Sequence, residues 1–120
     1  MAKVLVVDDD AASLEIRKLL LERAGHQVDV ASSVGEARSA PRPDVVILDV
    51  RLPQVEDGLT LIREFHSSGV RVIVLCGNRA DLDGCAEASM TDAILEKPVR
   101  SEILLRAIGV LDSAHDPMNT

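Results

Sequence analysis

Aromatic residues are nearly absent: the 120-residue sequence has one phenylalanine, Phe65, and neither tryptophan nor tyrosine. The core must therefore be aliphatic, and functions that stack bases on aromatic rings are disfavoured. Cysteine is scarce as well. Cys76 and Cys85 are the only two, too few for the disulfide frameworks of small secreted domains. Long apolar runs are missing too, the longest being strand-length and far short of the roughly 20 residues that span a membrane. Basic charge is in deficit, with 13 Lys and Arg against 20 Asp and Glu and a formal net charge of -7. Binding to nucleic acid through bulk charge needs the opposite sign, so neither direct nucleic-acid contact nor a membrane association is expected. The opening Met1-Ala2-Lys3 runs straight into Val4-Leu5-Val6-Val7 and three aspartates without a small-residue cleavage site. A cytoplasmic location is the expectation.

Hydrophobic residues at 47% and charged residues at 28% make an ordinary globular balance. The length suits one domain, expected over residues 1–112, with a polar tail or truncated linker over 113–120. Val4 to Val7, Val45 to Leu48 and Val70 to Leu75 are unbroken β-branched and apolar runs. Such runs predict strands buried on both faces, the habit of parallel sheets covered by helices. Gln27 to Ala31 alternates weakly, as an edge strand does, and Ala93 to Leu95 is a short fifth candidate. Helical spacing lies between them: Ala11 to Ala24 before Gly25, Val34 to Ser39 before Pro41, Leu59 to His66, Asp81 to Ser89, and Ser101 to Leu111. The alternation predicts an α/β fold with a parallel sheet and right-handed crossovers.

Ligands of open parallel sheets bind beyond the carboxyl ends of the strands. That rule gathers Asp8, Asp9 and Asp10 after the first strand, Asp49 after the third, Cys76 after the fourth and Lys97-Pro98 after the fifth. Clustered carboxylates suit a hard divalent cation such as Mg²⁺, which keeps several waters and takes a phosphate oxygen. Asp49 is then a candidate nucleophile toward phosphorus, and Lys97 a counter-charge for phosphoryl oxygens. Taken singly, each feature has a plain structural reading. Asp10 is expected to cap the first helix, and the neighbouring acids and Asp49 are individually compatible with solvated turns.

Val6-Val7-Asp8-Asp9-Asp10, then Val46-Ile47-Leu48-Asp49 with Pro53 beyond, then Lys97-Pro98 resemble the motifs of a response-regulator receiver domain (CheY-like) of two-component signalling. The resemblance covers Lys3 to Leu111. It implies a flavodoxin-like (βα)5 three-layer sandwich with a five-stranded parallel sheet in the order 2-1-3-4-5. It also implies that Asp49 takes phosphate from the phosphohistidine of a sensor histidine kinase or phosphotransfer protein. Mg²⁺ would be held by Asp9, Asp49 and the backbone carbonyl of Arg51, with Asp8 acting through water. Lys97 would contact the phosphoryl group, and its bond to Pro98 would be cis. The implied recipient of the signal is a downstream protein partner or output domain, and the resemblance leaves a homodimer open.

Several departures stand beside those matches. The family usually places Thr or Ser where this chain has Cys76, and an aromatic residue where it has Ile94. The stretch Val50 to Gly58 is one residue longer than the common form, and the second helix is short. Cys76 is either a small buried hydrophobe or a redox-sensitive thiol. Arg51 and Asn78 are either plain loop residues or residues that tune access of water to an acyl phosphate. These departures predict retained chemistry with weakened switch coupling. The alternative is a phosphorylation-independent interaction module with the same fold. A small Mg²⁺-dependent phosphatase is disfavoured, because Arg51 stands where such enzymes carry a second aspartate.

Overall fold

The computed structural model describes residues 2–52 and 54–114, with residues 110–114 as backbone only. Pro53 and residues 115–120 of the expected tail lie outside the described residues. Five strands, β1 (Lys3–Val7), β2 (Gln27–Ala31), β3 (Val45–Asp49), β4 (Arg71–Cys76) and β5 (Ala93–Glu96), form one sheet in the order β2-β1-β3-β4-β5. All four pairings are parallel. Among the described residues the α-helices are α1 (Ala11–Arg23), α2 (Val34–Ser39), α3 (Val55–Ser67) and α4 (Ser101–Ala114). No helix among them is long and apolar enough to cross a membrane.

The unbroken apolar runs divide by parity between two cores. Leu5, Val7, Val46, Leu48, Val72 and Val74 pack with Leu61 and Ile62 of α3. Val4, Val6, Ile47, Ile73 and Leu75 pack instead with Leu14 and Leu21 of α1 and Leu104 and Ile108 of α4. Consecutive strand residues face opposite ways, so a strand covered on both sides needs apolar residues at every position. Each fully buried aliphatic side chain contributes roughly 1.5–3 kcal/mol. The edge strand β2 keeps only Ala31 buried.

Three local expectations change. Asp81 to Ser89 is not an α-helix: Arg79–Leu82 and Ala86–Met90 are separate 3-10 turns. Gly84 between them takes φ +74, a left-handed conformation that interrupts a helix, and the stretch lacks the apolar repeat that would fund a longer one. Helix α3 starts at Val55, a turn before Leu59, because the Asp57 carboxylate accepts from the Gln54 backbone N–H at 3.1 Å and satisfies the helix start. The loop after β3 is correspondingly shorter than Val50 to Gly58. Helix α4 continues to Ala114, past the end of its apolar pattern at Leu111.

Candidate functional site

Asp8 and Asp49 are the two buried charged residues among those described, 2% and 7% exposed. A buried carboxylate is costly unless paired and hydrogen-bonded, and both are. Asp49 closes the central strand β3; one oxygen accepts from the Arg51 N–H at 3.2 Å and the other from the Lys97 ammonium. Asp8 lies one residue past β1 and continues the parity of Val4 and Val6, toward α1. Its oxygens accept from the Asp10 N–H at 2.9 Å and from Arg17 Nη1 at 2.6 Å. Asp9 is exposed, and Asp10 caps α1 through the Ala12 N–H at 3.1 Å. The Ser13 hydroxyl, followed by that N–H, holds the Asp10 carboxyl below the usual range.

Lys97 reaches Asp49 from the first residue after β5. Its N–H donates to the Cys76 carbonyl at 2.8 Å, and the Lys97-Pro98 bond is cis, as the resemblance implies. Cys76 thus anchors Lys97 through its backbone, while its thiol is fully buried with Leu95 O at 3.9 Å. Burial, and then the charge of Glu96, pushes the thiol up from its ordinary value. That is the opposite of what a reactive thiolate needs, so the redox reading of Cys76 loses its physical support.

Around the rim, Arg51 makes a two-pronged ion pair with Asp81, both contacts at 3.0 Å. It ties the loop after Asp49 to the 3-10 turn after β4. The guanidinium holds Asp81 below the usual carboxylate range. Asn78 caps that turn, accepting from the Ala80 N–H at 2.9 Å, which gives it a structural task. Ile94 is half-buried against the core on the α3 side.

The folded chain therefore brings Asp49 and Lys97 into contact, sets Asp8 on the neighbouring strand end, and leaves Asp9 in solvent. Arg17, Asp81 and Gly58 were not visible as site residues in the sequence. Arg17 carried a signal: it lies between Leu14 and Leu21 on the buried stripe of α1, where a charge calls for a partner. Gly58 packs so closely that an added Cβ would stand 1.9 Å from the Val50 carbonyl oxygen, which seats α3 beside the Asp49 loop. Nothing in the spacing marked Asp81 as the partner of Arg51.

The residues that the resemblance assigns to Mg²⁺, Asp9, Asp49 and the Arg51 carbonyl, would offer it oxygen donors only. Hard oxygens in a number too small to surround an ion suit Mg²⁺, which retains waters. Among the described residues, no three His, Cys, Asp or Glu side chains are grouped as a ready ligand set.

Residues 4–109 match the response regulator receiver domain family. The virulence transcriptional regulatory protein PhoP of Salmonella typhimurium (strain 14028s / SGSC 2262) is 45% identical over 78 residues, covering 62% of this chain and 34% of PhoP. The transcriptional regulatory protein PhoP of Escherichia coli O6:H1 is 42% identical over 76 residues, covering 61% and 34%. The chain thus spans about a third of the length of the curated relatives it matches. A receiver domain from Clostridium thermocellum superposes with a TM-score of 0.79 at 34% identity, covering 92% of this chain and 94% of the other. The response regulator TrrA of Thermotoga maritima, solved in complex with Mg²⁺-BeF, gives 0.81 at 25% identity, covering 92% and 99%. With the sheet order, the cis bond and the family match in agreement, this chain belongs to the receiver domains of two-component response regulators.

Proposed function

We propose that Asp49 is the phosphoacceptor of a regulatory switch, receiving a phosphoryl group from the phosphohistidine of a sensor histidine kinase or phosphotransfer protein. The observation that carries this reading is the buried Asp49 carboxylate at the end of the central strand, paired with the Lys97 ammonium. In the transfer, an Asp49 oxygen attacks phosphorus, the P–N bond breaks, and its electron pair stays on the imidazole. Lys97 is positioned to neutralise charge on the phosphoryl oxygens. The Arg51 N–H holds the other Asp49 oxygen and so orients the nucleophile. Asp9, Asp49 and the Arg51 carbonyl are the proposed Mg²⁺ ligands, with Asp8 acting through water. Bound there, Mg²⁺ would supply positive charge for the phosphoryl oxygens. Water attack on the acyl phosphate would return Asp49 and inorganic phosphate, so the domain turns over no external substrate beyond its donor.

The output is a changed surface read by a downstream protein partner or output domain in the cytoplasm. The curated relatives are named as transcriptional regulators, which favours an output of that kind. Switch coupling is weakened, because the Cys76 thiol is buried toward Leu95 O and a thiol is a poor donor to a phosphoryl oxygen. That same observation favours a second reading, an interaction module that works unphosphorylated. Treatment with a small acyl-phosphate donor and Mg²⁺, followed by intact mass, separates the two. One Mg²⁺-dependent phosphate supports the switch; none at any donor concentration supports the module.

A further inference from the structure

Arg17 occupies a position on α1 that ordinarily belongs to an aliphatic residue. It lies three residues after Leu14 and four before Leu21, the two buried residues of that helix. Its side chain is 17% exposed and its guanidinium rests on the buried Asp8 carboxylate at 2.6 Å. That pair, together with the Asp10 N–H on the other oxygen, offsets part of the cost of burying Asp8.

The charge balance of the rim follows. Asp8, Asp9 and Asp49 supply three negative charges, while Arg17 and Lys97 already sit on two of those carboxylates. An incoming dication thus meets two assigned acids that already carry a cation, one of them a guanidinium on the acid proposed to orient its water. Arg17 also borders a groove of ≈ 480 Å³ lined by Ser13, Ile16, Leu20, Lys97 and Pro98, which gives the side chain somewhere to go when displaced.

We propose that Arg17 is a built-in competitor for the divalent cation: it holds Asp8 in the metal-free state and must be released, or repelled, when Mg²⁺ binds. The inference rests on the reading of this rim as a Mg²⁺ site and adds its regulation. Partners of metal-site groups alter metal affinity by about ten- to a hundredfold. Here the partner is itself a cation, so removing it strengthens binding. Arg17 thereby raises the Mg²⁺ concentration at which the domain becomes competent. It is a positioning residue, acting through Asp8.

The test is Mg²⁺ titration by calorimetry on the full chain, comparing the native protein with Arg17→Gln, Asp8→Asn and the double variant. Arg17→Gln is expected to bind Mg²⁺ about tenfold more tightly, equivalent to about 1.4 kcal/mol. In the Asp8→Asn background the same change should yield little gain, because the competition passes through that carboxylate. Arg17→Met, which fills the apolar stripe, repeats the measurement if Arg17→Gln folds poorly and should give the same gain. Equal or weaker binding in the Arg17 variants, with the native chain binding normally, overturns the competitor while leaving the metal site intact. Failure of every chain to bind Mg²⁺ in the millimolar range overturns both.

Discussion

Replacing Cys76 by threonine isolates the coupling between phosphorylation and conformation. In the unphosphorylated chain the Cys76 thiol is fully buried and its acceptor, Leu95 O, lies at 3.9 Å. A threonine hydroxyl placed there is poorly satisfied, which costs about 1–3 kcal/mol. On the proposed phosphorylation of Asp49 the hydroxyl would gain a charged phosphoryl acceptor, and a bond of that kind contributes about 1.5–3 kcal/mol. Both effects act in one direction, penalising the resting state and favouring the phosphorylated one. Even about 1.4 kcal/mol of the combined effect changes the active-to-resting ratio tenfold. The rate of phosphate incorporation should change little, since Asp49 and Lys97 are untouched and the Lys97 N–H bonds to the backbone of residue 76, not its side chain. The assay is urea unfolding of each protein with and without a small acyl-phosphate donor and Mg²⁺, paired with hydrogen exchange across Arg79–Glu96. Cys76→Thr is expected to be less stable than the native chain at rest and to gain more on phosphorylation. An equal phosphorylation-induced gain in both proteins would refute the weakened-coupling argument.

Two other perturbations follow from the geometry around Asp49. Asp81 titrates below its ordinary value of 3.8 because Arg51 hydrogen-bonds its charged form. The Arg51–Asp81 tie is therefore fully present above pH 3.8 and is lost as pH falls through the depressed folded value. Arg51→Ala should move the Asp81 midpoint upward in a carboxyl NMR titration; an unmoved midpoint would assign the shift to another cause. Gly58→Ala places a methyl 1.9 Å from the Val50 carbonyl oxygen and 2.6 Å from its carbon, forcing α3 away from the loop that carries Arg51. A loss of about 1–3 kcal/mol in chemical denaturation is expected, with weaker Mg²⁺ binding alongside, and native-like stability would show that the helix can yield.

What the sequence disclosed was set by how each feature is encoded. Val4 to Val7 and Val45 to Leu48 announce buried parallel strands because covering both faces demands apolar residues at every position. Strand order then places Asp8, Asp49 and Lys97 at one rim with no need of side-chain detail. Two features depended on tertiary contact and stayed hidden. Arg17 finds Asp8 only when α1 packs back on β1, and the Arg51–Asp81 tie joins residues 30 apart in sequence. The early start of α3 hinges on a capping contact from Asp57 and on the room left by Gly58, in a stretch whose Glu56-Asp57-Gly58 reads locally as a turn. Asp81 to Ser89 failed for the opposite reason: its helical spacing was weak, and Gly84 decides the outcome.

Asp49, and no other acid, is proposed to accept the phosphoryl group. Intact mass of the native chain and of Asp49→Asn, each incubated with a small acyl-phosphate donor and Mg²⁺, tests it most directly. One added phosphoryl group is expected on the native chain, absent without Mg²⁺ and absent in Asp49→Asn. Undiminished incorporation in Asp49→Asn would contradict it and move the chemistry to another carboxylate.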